Sequence, residues 1–257
     1  MEALLPLLKG HPGPSVLVFA LLFRLVSWVQ RRTPVPQLVK QDEFRHWRWR
    51  NLSLSLVHSL LTGTWALTCA AASPQLLIRL DSYHTPLSYL LVCVSSGYFV
   101  QDAADIILSG HARGSWEFLL HHAMVICCFV YTLYTERYVA GAVVALFVEV
   151  NSVTLHLRLL LKLAAAQSSL FYRLVKFINI FTYVAFRLPS QFYLTWYIVH
   201  NYSRLTHGGF FLACMTIMNV MILVYFYRLL RSDFFPPRKS KVEETGQPNG
   251  VKRFLRD

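Results

Sequence analysis

The chain has 257 residues, 55% of them hydrophobic, with a mean hydropathy of +0.41 and a formal net charge of +12. That apolar share is above the usual level for soluble domains, and it comes in long blocks with the basic residues at their ends. This distribution argues against a nucleic-acid-binding chain, which would line one soluble face with Lys and Arg. It points instead to an all-α, polytopic transmembrane bundle of six to seven spanning helices.

A spanning helix needs about 20 mostly apolar residues. In chain order the segments that meet or approach this are 15–30, 52–72, 87–109, 116–134, 138–162, 175–199 and 209–230. The first is short and carries Arg24. It lacks a basic leader and a small-x-small cleavage site, so it reads as a retained helix, with a cleaved signal peptide as the alternative. Residues 1–44 therefore form an N-terminal segment with a weak first span and a basic loop, 45–233 the main helical domain, and 234–257 a polar, basic tail. The tail has too little apolar surface to order itself, and its Lys and Arg suit either solvent or anionic headgroups.

Every second loop is basic. Arg31, Arg32, Lys40, Arg45, Arg48 and Arg50 follow the first span, Arg113 the third, Lys162 and Arg173 the fifth, and Arg231, Arg238, Lys239 and Lys241 the seventh. The positive-inside rule then gives an exoplasmic N-terminus and a cytosolic C-terminus. The sequon at Asn51 should be silent on the cytosolic side, and that at Asn201 lies close to the membrane. Cys69, Cys93, Cys127, Cys128 and Cys214 all lie in apolar spans with no metal or disulfide spacing, and read as small buried hydrophobes.

Asp102, Asp105, His121, His122 and Glu149 stand in or at the edges of these spans. A charge at mid-membrane costs roughly 2.5–3.5 kcal/mol on insertion scales, so such residues face a bundle interior or a wet cavity and mark a site. Spans three and four form a hairpin in which Asp102 and His121 are nearly equidistant from the turn. With His58 and His156 they are expected to make a polar layer in the cytosolic half: His58, Asp102, His121 or His122, and His156. Asp102 and Asp105 should share a helix face. An Asp beside a His orients the ring, which suits acid–base or acyl-imidazole chemistry, and equally a structural clamp between helices. His121, His122 and Asp102 are the candidate catalytic residues.

Glu149, Ser152 and His156 fall on one helix face. Arg187 is expected to pair with Glu149, and Pro189 to kink span six. Asn151, Asn179, Gln191 and Asn219 should supply hydrogen bonds between helices. Without HExxH or comparable spacing, no metal site is expected.

Several runs carry a resemblance: Trp49-Arg-Asn51 with Leu54-Ser-Leu-Val-His58-Ser59, Gly97-Tyr-Phe99 with Asp102 and Asp105, Trp116-Glu-Phe-Leu-Leu-His121-His122, Leu146-Phe-Val-Glu149-Val-Asn151-Ser152, and Tyr225-Phe-Tyr-Arg-Leu-Leu-Arg231-Ser-Asp233. Together, over roughly residues 45–233, they are similar to the TLC (TRAM-LAG1-CLN8) domain family. The resemblance implies a helical membrane domain that handles lipid acyl chains. The family includes ceramide synthases, whose motif begins with a His-His pair that His121 and His122 match. Further on, that motif has a His-Asp pair and another Asp. Here Glu149-Val-Asn151-Ser152 stands in that region, which speaks against ceramide synthesis.

The subgroup these motifs come nearest to is associated with the composition and fluidity of plasma-membrane phospholipids, through limiting the incorporation of polyunsaturated acyl chains. By resemblance the expected partners are membrane phospholipids and fatty acyl chains, without nucleic acid, and the expected location is the plasma membrane, with the endoplasmic reticulum as the alternative. No cofactor is expected. Two rival functions remain open. One is an acyl-CoA-dependent acyltransferase, with acyl-CoA as substrate and a histidine as base or nucleophile. The other is a non-enzymatic partner of another membrane protein.

Overall fold

A computed structural model describes residues 4–234, and among them all regular structure is helical. The expected tail lies outside the described residues except for Phe234. The elements are α1 (Leu4–Gly10), α2 (Pro12–Gln30), α3 (Gln37–Lys40), α4 (Glu43–Ala72), α5 (Gln75–Ile78), α6 (Pro86–Leu108), α7 (Trp116–Thr135), α8 (Val139–Ala145), α9 (Val148–Leu163), α10 (Leu170–Thr182), a π-helical turn (Tyr183–Arg187), α11 (Leu188–His200), a 3-10 turn (Tyr202–Arg204) and α12 (Gly208–Phe234).

Local chemistry sets the helix starts. The Asp42 side chain accepts the Arg45 amide at 2.9 Å and caps α4. Thr85 and Ser88 form a reciprocal capping box at α6, with Pro86 in its first turn. Ser169 caps α10 by accepting the Tyr172 amide at 3.0 Å. Each cap satisfies an amide that the helix itself leaves unpaired. At the other end of α7, Glu136 adopts a left-handed φ of 53° and closes the helix.

Six helical segments are long and apolar enough to cross a membrane, so the chain is an integral membrane protein. The exterior is oily: α2 exposes Leu17, Leu21, Leu25 and Val29, and α12 exposes Val220, Leu223 and Tyr227. The middle is the crossing α6, 67% of whose apolar window is buried, against 22% for α2 and α7 and 17% for α12.

The seventh expected span, 175–199, is not among these six; it falls on α10 and α11, which run on from one another through the π turn. A kink at Pro189 was expected. The irregularity lies just upstream, over Tyr183–Arg187, and Pro189 sits in the first turn of α11. A proline lacks an N–H and its ring crowds the carbonyl four residues back. One wider turn absorbs both defects, so the backbone opens before the proline rather than at it. The span expected at 138–162 is likewise two helices, α8 and α9, meeting at Leu146 and Phe147.

The first helix is integral to the bundle. A Cβ on Gly97 of α6 would sit 2.5 Å from Phe19 Cβ and 2.7 Å from the Ala20 nitrogen, so only glycine lets these backbones meet. Arg50 of α4 donates to the carbonyls of Gln30, Arg31 and Thr33 where α2 ends. Two ends can thus be told apart: a basic end, where α2, α6, α9 and α12 finish, and an opposite end carrying Lys9, His84 and Glu136. The cysteines divide: Cys69 and Cys93 are buried, Cys128 and Cys214 half-buried, and Cys127 is exposed on the outer surface, contrary to the expectation of burial for all five.

Because the Gly97 contact is with backbone, relief requires α2 to move. Gly97→Leu should cost at least the ~1–3 kcal/mol typical of overpacking and lower the melting temperature in detergent. Gly13→Ala, whose new methyl would meet only the Tyr134 hydroxyl at 2.8 Å, should cost less. Equal melting temperatures for Gly97→Leu and the parent would remove the α2–α6 contact from this account.

At the opposite end Lys9 Nζ donates to Glu136 Oε2 at 2.5 Å and to His84 Nε2 at 3.0 Å. An ammonium only donates, so the imidazole accepts and is neutral. Burial, and then the Lys9 charge, hold the His84 pKa below its ordinary 6.5 against the opposing pull of Glu136. The folded state prefers the neutral ring, so this contribution is complete above the ordinary value and declines as pH falls below it. Between about pH 7.5 and about pH 5.5 the parent should lose more melting temperature than His84→Gln; equal losses would count against the clasp.

Candidate functional site

A cavity of about 320 Å³ reaches from Trp47, Arg48, Trp116 and Arg228 at the basic end to Tyr98, Glu149 and Arg187 inside the bundle. Its walls are apolar, with Phe99, Leu155, Met218, Met221 and Ile222 among them, and its polar groups converge in the interior. That combination and size are typical of a small-molecule site, which runs from roughly 300 to 1,000 Å³.

The α6–α7 hairpin brings Asp102 and His122 together. Both are buried, and His122 Nε2 lies 3.1 Å from Asp102 Oδ2. Asn51 of α4 donates to the other carboxylate oxygen at 2.6 Å. His122 Nδ1 lies 2.6 Å from the Phe118 carbonyl, which can only accept, so that nitrogen carries a proton. Both nitrogens of His122 are committed to protein. His121 is different. Its Nδ1 lies 3.3 Å from Met218 Sδ of α12; the thioether only accepts, which places the proton on Nδ1. Its Nε2 then keeps a lone pair and has no hydrogen-bond partner among the described residues. Both histidines line the cavity, and their rings meet nearly at right angles, 83°. The clamp and the available base are thus two different residues.

Other members of the expected layer fall elsewhere. Asp102 and Asp105 share the face of α6 turned to α4, meeting Asn51 and Trp47 one turn apart, but Asp105 does not line the cavity. Three residues at 3.6 per turn leave about 60° between side chains, and Asp105 turns to Trp47 Nε1 at 3.0 Å and Arg24 at 3.3 Å. His58 does not line the cavity: its ring stacks at 3.7 Å on Tyr98, which does, and its Nδ1 lies 3.8 Å from Glu149 Oε2. His156 and Ser152 line the cavity as their helix face implies.

The expected Glu149–Arg187 ion pair does not form. Glu149 turns to α4, accepting from Ser59 Oγ at 2.6 Å. Arg187 donates through Nε to Asn151 Oδ1 at 2.7 Å and through Nη2 to Ser152 Oγ at 2.7 Å. Asn151 in turn donates to the Asn179 carbonyl at 2.9 Å and to Thr182 Oγ1 at 3.0 Å. Arg187 and Ser152 line the cavity, while Asn151, Asn179 and Thr182 lie behind its wall, so Asn151 supports the site without lining it.

Sequence reasoning missed several participants. Asn51 was read as a sequon, yet its amide holds Asp102. Tyr98 donates to Ser55 Oγ at 2.8 Å and covers His58. At the mouth, Arg228 and Tyr225 of α12 both donate to Glu117 of α7, at 2.9 and 3.0 Å. Arg158 pairs with Asp233 there as well. Asn51, Tyr98, Glu117, Tyr225, Arg228 and Asp233 all occur in the runs that carry the family resemblance, which was the available signal. Among the described residues, no three His, Cys, Asp or Glu side chains gather as a metal site.

The buried Asp102–His122 contact makes the two residues interdependent. Asp102→Ala and His122→Ala should each destabilise the protein, and the double variant should lose less than the sum, by a coupling of about 0.5–3 kcal/mol. Additive losses in thermal unfolding would show that the contact does not link α6 to α7.

The TLC domain (TRAM-LAG1-CLN8) family model matches residues 48–231. Over 234 residues the chain is 42% identical to TLC domain-containing protein 1 of Rattus norvegicus, covering 91% of this chain and 95% of the relative. It is 43% identical over 246 residues to the Gallus gallus protein of that name, covering 95% of each. It is also 42% identical over 224 residues to TLC domain-containing protein 2 of Danio rerio, covering 85% of this chain and 89% of that one.

Proposed function

The chain belongs to the TLC domain family, and from that premise we propose that it holds an acyl-chain lipid in the cavity and thereby regulates the acyl composition of membrane phospholipids. The observation that carries this is the cavity itself. Apolar walls from Phe99, Leu155, Met218 and Ile222 surround a polar interior made by His121, the Asp102–His122 pair and Arg187. An apolar chain with one polar head matches both parts. Each methylene moved out of water contributes about 0.8 kcal/mol, and the buried polar groups fix the head. The finer statement is that the protein limits incorporation of polyunsaturated chains and so sets the fluidity of the plasma membrane. Its support is the family resemblance, together with a basic-end mouth that the positive-inside rule puts in the cytosol.

A second reading is favoured by one specific feature, the unoccupied Nε2 of His121. In an acyltransferase this nitrogen would take the proton from an acceptor hydroxyl or amine as the acceptor oxygen or nitrogen attacks the thioester carbonyl of acyl-CoA. The C–S bond then breaks, and the proton passes to the departing thiolate, leaving CoA and the acylated product. His122, with both nitrogens engaged, would position the helix rather than react.

Lipidomics of cells lacking the protein, fed labelled polyunsaturated and monounsaturated fatty acids, separates the readings. Loss should raise the polyunsaturated share of phospholipids, and re-expression of the parent should restore it. Rescue by His121→Ala equal to the parent would favour regulation over acyl transfer. An unchanged profile in the deficient cells would remove the proposal.

A further inference from the structure

Arg187 stands apart from the other arginines whose partners at this cavity can be seen. Arg158 meets the Asp233 carboxylate, and Arg228 meets Glu117 at 2.9 Å. Arg187 donates only to neutral acceptors, Asn151 Oδ1, Ser152 Oγ and, at 3.5 Å, the Val148 carbonyl, and its guanidinium lies 5.4 Å from the centre of the Tyr183 ring. Among the described residues, no carboxylate reaches it within ion-pair distance. A guanidinium within a spanning segment normally pairs with an anion or reaches water. Its Nε and Nη2 are occupied, while Nη1 has no hydrogen-bond partner among the described residues, and Arg187 lines the cavity.

A second, independent observation lies in the same wall. His156 lines the cavity, and its Nδ1 is buried without a hydrogen-bond partner. The two carboxylates of the interior turn elsewhere, Asp102 to Asn51 and His122, and Glu149 to Ser59 through Oε2. Arg187 Nη1 is therefore an unmatched donor beside a buried His156 nitrogen that also lacks a partner, and an unpartnered buried polar atom marks a missing one.

We propose that Arg187 and His156 form a carboxylate-binding site for an unesterified long-chain fatty acid, whose head enters the deep end of the cavity and whose chain runs along Leu155, Met218 and Ile222 toward the mouth. This rests on the acyl-lipid reading and sharpens it to one ligand class. One carboxylate oxygen accepts from Arg187 Nη1 and the other from His156 Nδ1. The guanidinium is pre-aimed, since the π turn carries it and Asn151, itself fixed by Asn179 and Thr182, holds its Nε edge, so little ordering is needed on binding. Neither an acyl-CoA nor a diacyl phospholipid carries a carboxylate at the end of its chain. Glu149 is the opposing charge in the chamber.

The test is binding of tritiated oleate to the full-length protein in phosphatidylcholine nanodiscs, competed by oleyl alcohol and by oleoyl lysophosphatidic acid. A charge-assisted pair in a buried site should make oleate bind about tenfold or more tightly than oleyl alcohol. Arg187→Gln should erase that preference and leave oleyl alcohol nearly unchanged. Glu149→Gln should tighten oleate, and Arg187→Lys should keep part of the preference. If Arg187→Gln does not fold, the parent's own discrimination between acid and alcohol still decides. Equal affinity of the parent for oleate and oleyl alcohol would overturn the carboxylate site while leaving an acyl-chain cavity in place. So would undiminished oleate binding by Arg187→Gln, or lysophosphatidic acid outcompeting oleate through Arg187. Failure of all three probes to bind would overturn the acyl-lipid reading as well.

Discussion

A charge placed among lipid tails has to be matched by protein, because the tails offer it nothing. In this bundle α6 does most of that matching. Asp102 draws in Asn51 of α4 and His122 of α7, and Asp105 draws in Arg24 of α2 and Trp47 of α4. Tyr98 donates to Ser55 of α4, and Tyr89 donates to the Leu133 carbonyl at the end of α7. Three helices are thus hung on one by polar contacts, each worth about 0.6–2 kcal/mol in a membrane. With lipid outside as apolar as any side chain, burial of Leu and Val adds little between helices. These contacts, and the close approach at Gly97, carry the association instead.

A second polar group forms on the far side of the cavity, where Arg187, Asn151, Asn179 and Thr182 tie α9 to α10 and the π turn. Glu149 bridges from this side to Ser59 of α4. Each group is satisfied largely within itself, and α4 is the element common to both. The hollow between them persists because neither group needs the other to close its hydrogen bonds. Residues at the edges of the two groups, His121, His156 and Arg187 Nη1, are the ones left with capacity toward the hollow. Stability and ligand binding therefore draw on the same side chains, which is why a simple loss of activity on mutating Asp102 or Arg187 says little by itself.

Hydropathy locates the six segments long and apolar enough to cross, since span length follows from bilayer thickness and helical rise. It also brought Asp102 near the His pair, because a hairpin fixes depth on both arms. Depth is only one coordinate, however, and rotation about the helix axis is the other. A sequence fixes rotation only where an apolar stripe is clear, and helices buried on several sides have none. His58 lies behind Tyr98 for that reason. The Glu149–Arg187 pairing failed on a finer point. The π turn shifts Arg187 relative to a regular helix, and Asn151 and Ser152 reach its guanidinium first. Nothing in the spacing of residues signals a π turn except the nearby proline, and that signal was read one turn too late.

The mouth follows from the same balance. α12 meets α7 through side chains along one seam: Tyr131 with Phe211, His121 with Met218, Phe118 with Tyr225, and Glu117 with Arg228. The last of these is partly exposed, with the Arg228 and Glu117 side chains 39% and 30% exposed. Ion pairs that solvent reaches contribute only about 0–1 kcal/mol, whereas separating the buried Asp102–His122 pair leaves an unmatched charge in hydrocarbon. Of the contacts α7 makes, the exposed one to α12 at the basic end is thus weaker than the buried one to α6. On the proposed binding mode, His121 with its free lone pair would stand along the chain's path and the unmatched Arg187 at its end.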